Sequence, residues 1–187
     1  MRTRRRLLGA AERLVAREGA HRLTLEAVAR EADMSKGSLL YHFPTKDALV
    51  SGMIGDLIRA FEGSMDTRLR GEGDEPGRWS RAYARGTFEE EQGRRDLEVG
   101  AGLLAAVAND PTLLEPLREG YERWQSRAVR DGIDPALATV VRLASDGLWV
   151  ADLLGLAPPT GDLRRKVMET LLSMTDVAEP SDGGEGT

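Results

Sequence analysis

Between Ser35 and Lys46 the chain reads Ser-Lys-Gly-Ser-Leu-Leu-Tyr-His-Phe-Pro-Thr-Lys, which gathers hydroxyls, an imidazole and two ammonium groups in one short stretch. Such groups donate hydrogen bonds to phosphate oxygens and to base edges. Ser35, Lys36, Gly37 and Ser38 form a small, polar first turn that lets the backbone approach another molecule closely, and Lys36, Ser38, Tyr41 and His42 supply donors. Other chemistry is poorly served. Cysteine is absent, which excludes disulfides, thiolate-bound zinc, iron–sulfur clusters and thiol catalysis. The 2 histidines, His21 and His42, leave little for a metal site or a Ser–His hydrolase. The Glu89-Glu90-Glu91 run places neighbouring carboxylates on different sides of a helix, with no partner base evident. No phosphate loop or dinucleotide fingerprint occurs, so no catalytic residue, metal or cofactor is expected.

The elements that must position these donors are helical. Leu7, Leu8, Ala11, Leu14 and Val15 give one apolar face over about 4–18, and Gly19 stops that helix. Thr24 caps a short helix with Glu26 in its first turn and Leu25, Val28, Ala29 and Ala32 on its apolar face. Asp33 suits a tight left-handed turn. Ser35 caps a second short helix, which Pro44 ends, and Thr45 caps a long one over about 45–69. Two short helices joined by a tight turn and braced by a third make a helix-turn-helix. The first-turn amides behind Thr24 and Thr45 form anion sites, with Lys46 beside the second. Phe43 is expected in the core.

Charge follows the same division. The net charge is −5, yet residues 1–50 carry ten Lys/Arg against six Asp/Glu, leaving 16 against 25 beyond. A basic head on an acidic body suits a polyanion partner. No apolar run approaches the roughly 20 residues of a membrane span. Glu12 and Arg13 break the apolar stretch after the N-terminal arginines, so a soluble, cytoplasmic protein is expected, with no membrane partner.

The pieces Ala10-Ala-Glu-Arg-Leu-Val-Ala-Arg-Glu-Gly19, Leu23-Thr-Leu-Glu-Ala-Val-Ala29 and Ser35-Lys-Gly-Ser-Leu-Leu-Tyr-His-Phe-Pro-Thr-Lys-Asp-Ala-Leu49 resemble the DNA-binding domain of the TetR (tetracycline repressor) family of bacterial regulators. The resemblance covers about a quarter of the chain. It implies an all-α fold of about nine helices, an Ω-shaped homodimer, a C-terminal regulatory domain, and repression relieved by a small ligand. By position, Thr24 and Lys46 are expected to hold phosphates. Ser35, Lys36, Gly37, Ser38, Tyr41 and His42 are expected to line the major groove or its flanking backbone. Leu40 departs from the pattern, since many members carry a second tyrosine there; leucine can still meet a thymine methyl. Asp33 departs as well, standing where glycine is common.

The expected boundaries are 1–46 for the head, 47–176 for the regulatory and dimerisation domain, and 177–187 for a polar, Gly-rich disordered tail. In the long helix Gly52 and Gly55 serve either bending or close packing. Further helices are expected over about 78–90, 94–108, 111–130, 135–156 and 162–175, two of them opened by Asp110-Pro111 and Asp134-Pro135. In the family the ligand pocket lies among the fourth to seventh helices. Leu57, Phe61, Met65, Trp79, Tyr83, Leu103, Leu104, Val107, Tyr121 and Trp124 are the candidate lining here, which suits an apolar or aromatic effector. Ordinary core packing is the competing reading for each of them. Ala144, Gly147 and Ala151 are small residues on one helix that permit close helix approach. With Leu148, and with Leu163, Val167 and Leu171 on the last helix, they are the candidate dimer surface. A DNA-binding regulator that answers to no ligand, and more remotely a helical enzyme, are the alternatives.

Overall fold

The computed structural model describes residues 2–88, Gly100 and 110–176, and every regular element among them is helical. Helix α1 spans Arg2–Glu18 and leads through a 3-10 turn, Ala20–Arg22, into α2, Leu25–Glu31, and α3, Lys36–His42. Leu7, Leu8, Ala10, Ala11, Leu14 and Val15 of α1 are buried against Val28 and Ala29 of α2 and Leu39 of α3. The α2–α3 turn closes on Asp33 at φ 50, with Met34 N donating to Ala29 O at 2.9 Å. Arg6 lies 3.7 Å from the Asp33 carboxylate and so offsets a negative charge placed at the head's edge.

Helix α4, Lys46–Gly71, carries the chain away from this head. Its Leu49, Val50 and Met53 complete the core of the head, and Ile58 and Met65 enter that of the body. Gly52 is where α4 meets the head most closely. A Cβ there would lie 2.7 Å from Phe43 Cε1 and 3.4 Å from Leu8 Cδ2, whereas one at Gly55 would meet only the far end of Arg59. Of bending and close packing, close packing is the role that Gly52 serves.

The body comprises α5, Arg78–Phe88; a 3-10 turn, Pro111–Leu114; α6, Glu115–Ala128; α7, Pro135–Leu154; and α8, Gly161–Ser173. Helix α5 is central, packing on α4, α6, α7 and α8. The helix expected from Pro111 opens instead as a 3-10 turn. An α-helix begun at Pro111 would hold Pro116 in its interior, where the ring clashes and an amide hydrogen is missing. Restarting at Glu115 puts that proline in the first turn. Helix α7 stops at Gly155, φ 64, close to the expected end near 156 and ahead of Pro158-Pro159. The expected helix over 94–108, with Leu103, Leu104 and Val107, lies outside the described residues apart from Gly100, as do the tail and Glu89, Glu90 and Glu91.

One joint ties the body together. The Asp131 carboxylate accepts from the amides of Trp79 (2.9 Å) and Ser80 (2.8 Å), capping α5 from the α6–α7 loop. Gly77, at φ 81, donates to Asp131 O at 2.7 Å, and a Cβ on it would sit 2.6 Å from Thr175 O.

Candidate nucleic-acid interface and the aromatic cluster behind it

The three caps that position the head form as their sequences dictate. Thr24 Oγ1 accepts from Ala27 N at 3.1 Å, Ser35 Oγ from Ser38 N at 3.2 Å, and Thr45 Oγ1 from Ala48 N at 3.0 Å. Helices α1 and α2 are fastened by Glu31, which accepts from Arg13 at 3.1 Å and Arg17 at 2.9 Å. These hydrogen bonds, Arg17's first, hold its carboxyl below the usual carboxylate range.

Helix α3 turns Leu39 fully inward and leaves Tyr41 85% exposed, with Leu40 at 37%. Ser35, Lys36, Gly37, Thr24 and Lys46 are exposed, and Ser38 and His42 half-buried. Tyr41 and His42 meet edge to face at 5.1 Å, and Phe43 is buried beneath Arg4, whose guanidinium lies 5.2 Å from its ring. Most of the expected contact residues are thus exposed. Lys36 differs from expectation in one respect: its Nζ is not free but donates to Glu26 Oε1 at 2.5 Å. That bond, reinforced by Glu26's own amide, holds the Glu26 carboxyl below its ordinary range.

Behind the head, five of the residues expected at a ligand site form a ring cluster. Phe61 of α4 lies 5.3 Å from Tyr83 and 4.8 Å from Trp124; Trp79 meets Tyr83 at 4.9 Å and Tyr121 meets Trp124 at 4.9 Å, both pairs tilted. Leu57 packs beside them half-buried, and Met65 is buried. An open groove of about 440 Å³ adjoins the cluster, lined by Asp66, Leu69, Arg70, Arg78, Trp79 and Arg127, so Trp79 is the member of the expected set that reaches it among the described residues.

Sequence reasoning missed the polar side of this cluster. Asp146 of α7 accepts from Tyr83 Oη at 2.6 Å, Tyr121 Oη at 3.3 Å and Arg142 at 2.6 Å. Arg142 also donates to Gln125 at 2.6 Å, and Gln125 to Thr139 at 2.8 Å. Burial raises the Asp146 carboxyl above its usual range even though all three partners pull it down. Burial first, then the Asp146 charge, pushes both tyrosine hydroxyls far up, so they remain donors. The signal in the sequence was Arg142 and Asp146 at i, i+4 in a mostly apolar helix.

The expected dimer surface divides. Ala144 and Gly147 are exposed, a Cβ on Gly147 would meet nothing within 4 Å, and Leu163 is 61% exposed. Ala151 and Val167 are half-buried. Leu148 and Leu171 are buried against Phe88 in a cluster that joins α5, α7 and α8. Beside them Val140, Leu143, Val150 and Leu154, spaced three, seven and four apart, leave an apolar stripe exposed along α7.

The family models agree with this architecture. Residues 7–53 match the description "Bacterial regulatory proteins, tetR family" and 77–176 match "Tetracyclin repressor-like, C-terminal domain". Among solved structures, a transcriptional regulator from Streptomyces coelicolor A3(2) is 25% identical over 95% of this chain and 100% of its own, with a TM-score of 0.74. A TetR-family member from Streptomyces coelicolor A3 has the same identity and coverage and a TM-score of 0.70. The multidrug binding protein EbrR, crystallised with ethidium, is 25% identical over 94% of this chain and 99% of its own, with a TM-score of 0.68. No curated relative matches the chain. No helix among the described residues is long and apolar enough to cross a membrane. With its C-terminal model alone covering more than half the sequence, the chain belongs to the TetR family of bacterial transcriptional regulators.

Proposed function

We propose that the protein is a ligand-responsive repressor that binds a palindromic operator as a homodimer and is released by a small apolar or aromatic effector. The observation that carries the DNA-binding part is Tyr41, 85% exposed at the end of an otherwise packed head. Leu40, Ser35, Gly37 and Lys46 are exposed as well, as is Thr24, the cap of the preceding helix. An exposed tyrosine beside capped helix starts is suited to phosphate and base-edge contact. The α7 stripe supports the dimer, since a two-fold pair of such stripes would bury Leu143 and Val150. Two recognition helices would then stand about 34–36 Å apart, one turn of DNA.

The ring cluster supports the effector, as does the likeness to a protein crystallised with ethidium. Trp124 Nε1 is buried with no acceptor among the described residues, so an aromatic effector bearing an acceptor oxygen would supply one. The arrangement is one of binding rather than catalysis. Asp146, the buried carboxylate of the cluster, is already engaged by two hydroxyls and a guanidinium.

The test has two steps. Full-length protein is first used to select from a pool of random duplexes, where a two-fold symmetric motif is expected. Aromatic and apolar compounds that raise the melting temperature are then titrated against the selected duplex by fluorescence anisotropy. Failure to enrich any motif would refute operator binding. Compounds that bind without weakening the complex would refute effector control.

A further inference from the structure

We infer that Glu26 and Lys36 act as one unit that reads a G·C base pair, which makes Glu26 a specificity-determining residue of the head; the inference rests on operator binding by that head. Lys36 opens α3, and Glu26 lies in the first turn of α2. Their side chains are each 57% exposed and joined by a bond of 2.5 Å. The N-terminal residues of the second helix of such a unit are those that contact base edges. The pair therefore stands at the front of the head, beside the caps Thr24 and Ser35.

Fastening α2 to α3 does not explain it. Exposed ion pairs add little to stability, and this turn is already closed by the Met34–Ala29 bond and the Ser35 cap. Phosphate binding does not explain it either. An ammonium already neutralised by a carboxylate releases no counterion when it docks, and the carboxylate itself repels a phosphate. What the pair offers is a donor beside an acceptor at no net charge. In the major groove a G·C pair shows two adjacent acceptors, guanine N7 and O6, next to the cytosine N4 amino donor. Lys36 Nζ matches the first two and the Glu26 carboxylate the third. At an A·T pair the adenine N6 donor separates two acceptors. The ammonium then finds a single acceptor, and the carboxylate is left near thymine O4.

The experiment compares full-length wild type with Glu26→Gln and Lys36→Ala. Both positions are exposed, and matching thermal melts check that each variant is folded. Each protein is selected against random duplexes, and its binding to one fixed duplex of unrelated sequence is measured across salt concentration. Wild type should select half-sites holding a G·C pair that both variants lose, with other positions kept. Its preference for G·C over A·T there, about 5- to 150-fold, should fall to near one. On the unrelated duplex Lys36→Ala should keep the wild-type salt slope. Glu26→Gln should steepen that slope by about 0.9 per protomer, as the freed ammonium takes a phosphate. The inference is overturned if Glu26→Gln keeps the wild-type base preference, or if Lys36→Ala flattens the salt slope as loss of a free phosphate-binding lysine would. A wild type that selects no motif overturns operator binding itself, which is a separate result.

Discussion

Alanine at Gly52 and alanine at Gly55 should move the stability of the protein in opposite directions, although both lie in the interior of α4. On helix propensity alone each substitution gains up to about 1 kcal/mol. At Gly55 little opposes that gain, because the new methyl would meet only Arg59 Nη1 at 3.3 Å, the free end of a flexible side chain. At Gly52 the methyl would stand 2.7 Å from the Phe43 ring and 3.3 Å from Arg4 Nη2. Phe43 is 2% exposed and has nowhere to retreat. Overpacking of this kind costs about 1–3 kcal/mol, which exceeds the propensity gain. Gly55→Ala should therefore stabilise by about 0.5–1 kcal/mol and Gly52→Ala destabilise by about 1 kcal/mol. In a chain of this size each kilocalorie moves the melting temperature by about 2–4 °C. Guanidinium unfolding at one fixed protein concentration, with equal slopes for all three proteins, is the assay. Equal stabilisation by both substitutions would refute the close approach of α4 to the head. Because Phe43 ends α3, Gly52→Ala should also weaken DNA binding, and Gly55→Ala should not.

Asp131→Ala removes the acceptor of the Trp79 and Ser80 amides and should cost about 1–3 kcal/mol, measured by the same unfolding experiment; an unchanged midpoint would show that the α5 cap is not held from the α6–α7 loop. Asp146 has a folded-state pKa raised by burial, so the native protein holds this proton more readily than the unfolded chain. Its contribution to stability is then greatest in acid and falls as pH rises from the ordinary carboxylate value through the raised one. The stability of wild type relative to Asp146→Asn should decline over that window, and a rise would contradict the sign. Leu143→Glu places a charge at the middle of the open α7 stripe, and light scattering should report a dimer mass for wild type and a monomer mass for the variant.

What the sequence disclosed and what it hid divide by range of interaction. Caps at Thr24, Ser35, Thr45, Asp110 and Asp134 were legible because a side chain and the amides two or three residues on decide them. The head was legible because its motif packs locally. The role of Asp131 was not legible, because the amides it caps lie some fifty residues earlier and no local pattern pairs them. Helix α7 was legible as a helix but not as a surface. Leu148 and Leu143 are the same residue type on opposite faces, one 6% and the other 54% exposed. A helix apolar on most sides carries no periodic sign of which face turns inward. The aromatic set was named from where the family's pocket lies. The carboxylate that gathers its hydroxyls was not, because Asp146 reaches Tyr83 and Tyr121 through tertiary packing alone.

The manner in which the ring cluster is held bears on how an effector could reach the DNA-binding head. Trp79 and Tyr83 belong to α5, and Tyr121 and Trp124 to α6. Both tyrosines are anchored to α7 through Asp146. Phe61 is the member carried by α4, the helix whose first turns complete the core of the head. A ligand that parted the α5 and α6 rings and left Phe61 in place would fit every head spacing equally, and equal affinity for two states shifts neither, however tight the binding. Displacement of Phe61 differs in kind, because α4 spans roughly 39 Å at 1.5 Å per residue and moves as a packed body. It is also braced on the body side, where Arg123 donates to Glu62 at 2.9 Å, one residue from the ring. A shift of Phe61 must therefore break that pair or carry α6 with it. For an effector to control the heads, its differential affinity would therefore have to arise at the contact of Phe61 with Tyr83 and Trp124, the remainder of the cluster setting only how tightly it is held.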